Sequence, residues 1–306
     1  MQTTLNTSVT LTGAGLHSGR PARITLHPAP ADSGISFRRT DAVEGDPVMP
    51  ARWDMTEHVP LCTRLVNADG VSISTIEHVM AALAGLGVHN AMIDVSGPEV
   101  PILDGSAAPF VTAILKVGLR MLDAPLKVLK VIKPVEVSEG AAKARLEPMD
   151  GLVIDFRIDF EDAVIGHQHR SLNMANGAFV RELCNSRTFC RLSDVEAMRT
   201  NGLALGGTME NAVVIDGNEV LSPGGLRHVD EPVRHKMLDA LGDLALAGGP
   251  VLGRYTGNRA GHTLTNKLLR VLFATPGAVT WVECVPETSR RLPGAGVSLA
   301  DLGAVA

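Results

Sequence analysis

The stretch Pro232-Val233-Arg234-His235-Lys236-Met237-Leu238-Asp239-Ala240-Leu241-Gly242-Asp243-Leu244-Ala245-Leu246-Ala247 is the most legible element of the chain. Asp230 stands where an N-cap is expected, Pro232 suits a first helical turn, and Gly248-Gly249 closes the pattern. The spacing predicts a helix near 232–247. Val233, Met237, Leu238, Leu241 and Leu244 fall on one face. His235, Asp239 and Asp243 fall on another, each four residues from the next, so their side chains stack along one stripe. An earlier segment, Val71 to Val88, has a related pattern. There Ser74 and Glu77 match an S-x-x-E capping box, Ile76, Val79, Met80 and Leu83 follow helical spacing, and Gly85 and Gly87 are expected to end the helix. His78-x-Met80 leads to Gly85 as His235-x-Met237 leads to Gly242. This likeness suggests two similar domains, each presenting a histidine at a shared cleft.

Working outward, residues 7–12, 21–27, 34–38 and 62–66 read as strands, with Gly13, Gly15 and Gly19 marking a turn between the first two. Asn90 to Val95 reads as a strand and Ala107 to Val117 as a second helix. Asp123-Ala124-Pro125 is the best joint, dividing the chain into 1–124 and 125–306. Beyond it, strands are expected at 127–137, 143–147 and 152–160, and a helix around 177–184.

The chain has 306 residues, 45% of them hydrophobic and 20% charged, a composition typical of globular proteins with a sizeable core. Aromatic content is 3%, so that core must rest on Leu, Val, Ile, Ala and Met. A net charge of −5 without a basic run argues against nucleic acid as the main partner. No apolar stretch reaches the length of a membrane span, and the N-terminal residues lack the pattern of a signal peptide. The four cysteines, Cys62, Cys184, Cys190 and Cys284, form no C-x-x-C pair, which fits a reducing cytoplasm.

Zinc chemistry would explain the polar stripe. A catalytic zinc takes three protein ligands and keeps one position open, and His235 and Asp239 at i and i+4 can reach one ion. A His-x-x-x-Asp pair also occurs on helix surfaces, and Glu77 beside His78 serves equally as a helix cap or a base. His262, in Gly261-His262-Thr263, would need a carboxylate such as Asp243 to act as an acid. The absence of H-E-x-x-H argues against the common zinc peptidases.

Several ordered segments resemble one family. They are Gly13-Ala14-Gly15-Leu16-His17-Ser18-Gly19, Ser74-Thr75-Ile76-Glu77-His78, Pro101-Ile102-Leu103-Asp104-Gly105-Ser106-Ala107, and Ser186-Arg187-Thr188-Phe189. Val233 to Leu244 and Gly261-His262 with Asn266-Lys267 complete the set, which spans nearly the whole chain. The chain resembles the UDP-3-O-acyl-N-acetylglucosamine deacetylases, cytoplasmic zinc enzymes of lipid A biosynthesis in Gram-negative bacteria. The resemblance implies an α+β fold of two similar domains, each a β-sheet plus helices, with the helices sandwiched between the sheets. It implies one Zn2+ per chain on His78, His235 and Asp239, with Glu77 as general base. His262 would be the acid, Asp243 its orienting partner, and Thr188 a donor to the oxyanion. Lys236, Phe189, Phe160, Lys143, Leu16 and Gly207 would contact the substrate, an acylated UDP-sugar. A βαβ insert near 188–219 would form an acyl passage lined by Phe189, Leu203, Leu205 and Val214. No membrane span is expected, and a monomer is. Two departures from the family pattern stand out: Cys190-Arg191 after Phe189, and Asp162-Ala163 where a His-Pro pair is common.

Overall fold

The computed structural model describes residues 1–304. The first part of the chain forms β1 (Thr3–Leu5), β2 (Val9–Ala14), β3 (Pro21–Pro28), β4 (Ile35–Arg39) and β5 (Val48–Pro50). Next come β6 (Thr56–Glu57), β7 (Arg64–Val66), β8 (Ser72–Ser74), helix α1 (Glu77–Leu86), β9 (Ala91–Val95), α2 (Ala108–Val117) and β10 (Leu119–Met121). Then follow β11 (Lys127–Val131), β12 (Val135–Glu139), β13 (Ala142–Glu147), β14 (Leu152–Asp159) and β15 (His167–Asn173). After a π-helical turn at Phe179–Leu183 come β16 (Phe189–Arg191), α3 (Leu192–Thr200), β17 (Val213–Asp216) and β18 (Glu219–Val220). The chain continues through α4 (Glu231–Ala245), β19 (Val251–Asn258), α5 (His262–Ala274), β20 (Val279–Glu283) and α6 (Pro286–Ser289).

The fold is α+β, and two of its sheets share one plan. The first has the order β2-β3-β9-β4-β5, with β9 antiparallel to β3 and parallel to β4. The second repeats it as β12-β13-β19-β14-β15, with β19 antiparallel to β13 and parallel to β14. In each, the central strand follows a helix, α1 before β9 and α4 before β19. The second sheet also pairs β11 with β19 and β20. Among the described residues no strand pairing joins residues before 125 to residues after it. Helices α1 and α4 pack against each other, α2 packs on β2, and α5 packs on β12 and β13. A single apolar cluster runs through both parts, from Leu5 and Phe37 to Leu268 and Leu272.

Several element ends differ from the sequence expectation. Ser74 ends β8 instead of capping α1, because Ile76 takes the N-cap position and the Glu77 carboxylate turns inward. Gly87, at φ 70°, does end α1, where a residue with a side chain would be strained. Gly85 lies inside the helix, with the Phe179 ring occupying the space of a Cβ. Asp230 makes no side-chain cap to α4 because its carboxylate pairs with Arg234 and Arg170. The run 127–137 is two strands, divided at Pro134, which has no N–H to offer a ladder. The helix expected at 177–184 is the π-helical turn.

Candidate metal and acid–base site

Packing of α1 on α4 builds the centre of the site. A Cβ on Gly242 would lie 2.1 Å from the Glu77 carbonyl oxygen, so only glycine lets the two helices approach this closely. That approach sets His78 of α1 beside His235 and Asp239 of α4, and one ligand atom from each lies within 4.8 Å of the others. His235 Nε2 is 3.3 Å from Asp239 Oδ1, and His78 Nε2 is 3.7 Å from the same oxygen. His235 Nδ1 donates to the Ser186 carbonyl at 3.0 Å, which leaves its Nε2 lone pair free toward the cluster.

The electrostatics favour ligands over ion pairs. Burial holds His78 down to about 3, so it is neutral at neutral pH. Burial likewise lowers His235. Asp239 is held well below the usual carboxylate range: burial opposes this, but its imidazole and ammonium neighbours outweigh it, with Lys236 and His262 the ones that carry charge at neutral pH. Lys236 donates to Asp239 Oδ2 at 2.8 Å, whereas the buried Oδ1 has no hydrogen-bond partner. Buried lone pairs converging without a donor are costly, and a cation bound among them removes that cost. The donor set, two imidazoles and a carboxylate, suits a divalent metal and leaves a coordination position open.

Acid and base groups flank this cluster. Glu77 is 3% exposed and accepts the Thr63 N–H at 3.0 Å. Burial pushes its carboxyl up to about 7, against the pull of His262. His262 is the first residue of α5, with Gly261 at the N-cap. Its Nδ1 donates to Asp243 Oδ2 at 3.0 Å, and its Nε2 lies 3.9 Å from Glu77 Oε1. Burial lowers the imidazole, but Asp243, Glu77 and Asp239 prevail and raise it to about 9.

The cluster opens into a cavity of about 850 Å³ whose surface is mostly apolar, with the charged groups of the site set into it. The family model for UDP-3-O-acyl N-acetylglycosamine deacetylase (LpxC) matches residues 2–274. Curated proteins named UDP-3-O-acyl-N-acetylglucosamine deacetylase are similar over most of their length. That of Anaeromyxobacter sp. is 49% identical over 276 residues, 90% of each chain. That of Shewanella violacea is 46% identical over 294 residues, 95% of each chain. That of Shewanella baltica is 45% identical over 302 residues, 97% of this chain and 98% of the relative. The chain belongs to the LpxC family.

Leu16, Phe160, Thr188, Phe189, Gly207 and Lys236, expected at the substrate site from the resemblance, all line the cavity beside the metal cluster, Glu77 and His262. Phe160 and Phe189 meet edge to face at 5.6 Å, and Phe189 also stands edge-on to His235. Lys143 does not line the cavity. It is exposed on β13 opposite Ser138, while its neighbour Ala142 reaches the cavity, as side chains alternate across a strand. Of the residues expected around an acyl passage, Phe189 and Val214 line the cavity, whereas Leu203 and Leu205 do not. Strands β16 and β17 are parallel and joined through α3, a βαβ unit at the cavity wall. The two departures meet there. Arg191 pairs with Asp194 at 2.8 Å and with Asp162 at 3.7 Å, so its charge is matched at the wall instead of being aimed into an apolar space.

Sequence reasoning assigned no role to His17, Thr63, Ser186 or Arg259. His17 and Arg259 line the cavity, Thr63 holds Glu77, and the Ser186 carbonyl orients His235. Local spacing carries no signal for Thr63 or Arg259. His17 sits inside the Gly13–Gly19 motif and Ser186 opens the Ser186–Phe189 motif, which marked the segments but not the roles. No described helix is long and apolar enough to cross a membrane.

Proposed function

We propose that the protein hydrolyses the N-acetyl group of UDP-3-O-(3-hydroxyacyl)-N-acetylglucosamine in lipid A biosynthesis, using zinc on His78, His235 and Asp239. The observation that carries this reading is the position of Glu77 and His262 beside one three-residue ligand cluster at an apolar cavity. Zinc bound there would polarise the acetamide carbonyl and make water acidic enough to attack at neutral pH.

The chain's own groups supply the rest. Glu77, whose carboxyl lies near neutrality, takes a proton from the attacking water. The Thr188 hydroxyl donates to the carbonyl oxygen as it gains negative charge. His262, held charged by its carboxylates, gives its proton to the departing amine, and Asp243 keeps the imidazole aimed. The amine and acetic acid leave, the acid losing its remaining proton to solvent as acetate, and the proton taken by Glu77 accounts for the one that His262 has lost. Lys236, Phe160, Phe189, Leu16 and Gly207 would hold the substrate, with the acyl chain along the β16-α3-β17 wall. The reading includes a cytoplasmic monomer of two domains, 1–124 and 125–306, each contributing to the site.

The test is acetate release from the acylated UDP-sugar by purified protein. Activity should vanish on dialysis against a chelator and return with one equivalent of zinc. Zinc bound at one per chain without acetate release would sink the reading and leave a non-catalytic binding protein.

A further inference from the structure

Asp243 and Glu77 come from different parts of the chain, yet one residue touches both. Thr63, just before β7, is 0% exposed. Its backbone N–H donates to Glu77 Oε2 at 3.0 Å, and its hydroxyl donates to Asp243 Oδ1 at 2.6 Å. The other Asp243 oxygen receives His262 Nδ1, and His262 Nε2 faces Glu77 Oε1. Glu77, Thr63, Asp243 and His262 therefore form a closed ring. Asn266 Nδ2 lies 3.5 Å from Thr63 Oγ1, a donor to its lone pair, which leaves the single hydroxyl proton for Asp243.

We propose, resting on the hydrolytic reading above, that Thr63 is a positioning residue that fixes the base Glu77 and the acid His262 relative to each other. The amide and the hydroxyl belong to one residue, so its covalent geometry sets the separation of the two carboxylates. β-Branching restricts χ1 and keeps the hydroxyl aimed. Without that hydroxyl, Asp243 Oδ1 is a buried acceptor with no donor, and the carboxylate is free to turn and take His262 with it. Glu77 keeps its backbone donor in any side-chain variant, so the hydroxyl acts on the acid half of the ring.

Thr63→Val keeps shape, branching and the backbone N–H and removes only the hydroxyl. The expected result is a fall in kcat of about 10- to 100-fold, the scale of a small misplacement of a catalytic group, with KM and zinc content unchanged. Thr63→Ser should restore most of kcat. In metal-free protein, the downfield N–H proton of the His262 imidazole should move or broaden in T63V and return in T63S. If T63V does not fold, Thr63→Ala carries the same comparison. An unchanged kcat, a change confined to KM, or a T63S as impaired as T63V overturns the proposal. The imidazole resonance can be read even if the parent releases no acetate. An unmoved resonance therefore defeats the role of Thr63, while absent acetate release defeats the hydrolytic reading.

Discussion

In the first half of the chain, Glu77 opens α1 with one donor on its carboxylate, and burial raises it to about 7. In the second half, His262 opens α5 among three carboxylates that overcome burial and raise it to about 9. The two halves share a strand order, and each sets its central strand after a helix. They nevertheless prepare their groups by opposite means. Desolvation makes a carboxylate basic in one, and charge pairing keeps an imidazole protonated in the other. The two residues do not hold equivalent positions of the repeated topology, since Glu77 opens the helix before a central strand and His262 the helix after one, and the local environment decides what each can do.

The largest effects should come from removing either group. Glu77→Gln and His262→Ala are each expected to lower kcat by roughly 10²–10⁴-fold while zinc content stays at that of the parent. Loss of zinc from either purified variant, by elemental analysis, would merge base or acid with the ligand set and break the contrast. Next in size is the buried pair that ties Ser186-Arg187-Thr188 to α4. Arg187 is 5% exposed and Glu231 0%, and Glu231 also accepts the backbone N–H groups of Arg187 and Arg227. Arg187→Met should cost about 3–5 kcal/mol in chemical denaturation, because it leaves a buried carboxylate without its cation. The smallest effect is expected at Lys143, exposed and off the cavity. Lys143→Ala should change kcat/KM by no more than about 2-fold, as for a surface substitution. A larger rise in KM would bring that strand into the substrate site and sharpen where the second half begins to bind.

Much of this site was legible because helical spacing is local. His235, Asp239 and Asp243 recur every four residues, so their common stripe follows from the helix alone. Gly85 and Gly242 were visible as an equal interval after two histidines, but their tasks differ: Gly85 makes room for the Phe179 ring and Gly242 for the Glu77 carbonyl. Strand β15 was missed because His167-Gln168-His169-Arg170-Ser171 alternates without an apolar face. Its pairing with β14 is what orders it. Ser74 and Glu77 misled as a capping box because sequence cannot tell a carboxylate that turns back to the backbone from one drawn inward by Thr63.

What the sequence by itself determined is therefore the set of groups: a His-x-x-x-Asp-x-x-x-Asp stripe, a Glu-His pair, a late His262, and motifs in one family's order. Those are facts of spacing along one chain. The tertiary structure decided which lone pairs face one buried point, which carboxylate is raised and which imidazole is kept charged. It also brought Thr63 between Glu77 and Asp243, 180 positions from the latter. Ionisation and ligation depend on distance through space and on exclusion of water, and neither is a property of spacing along the chain.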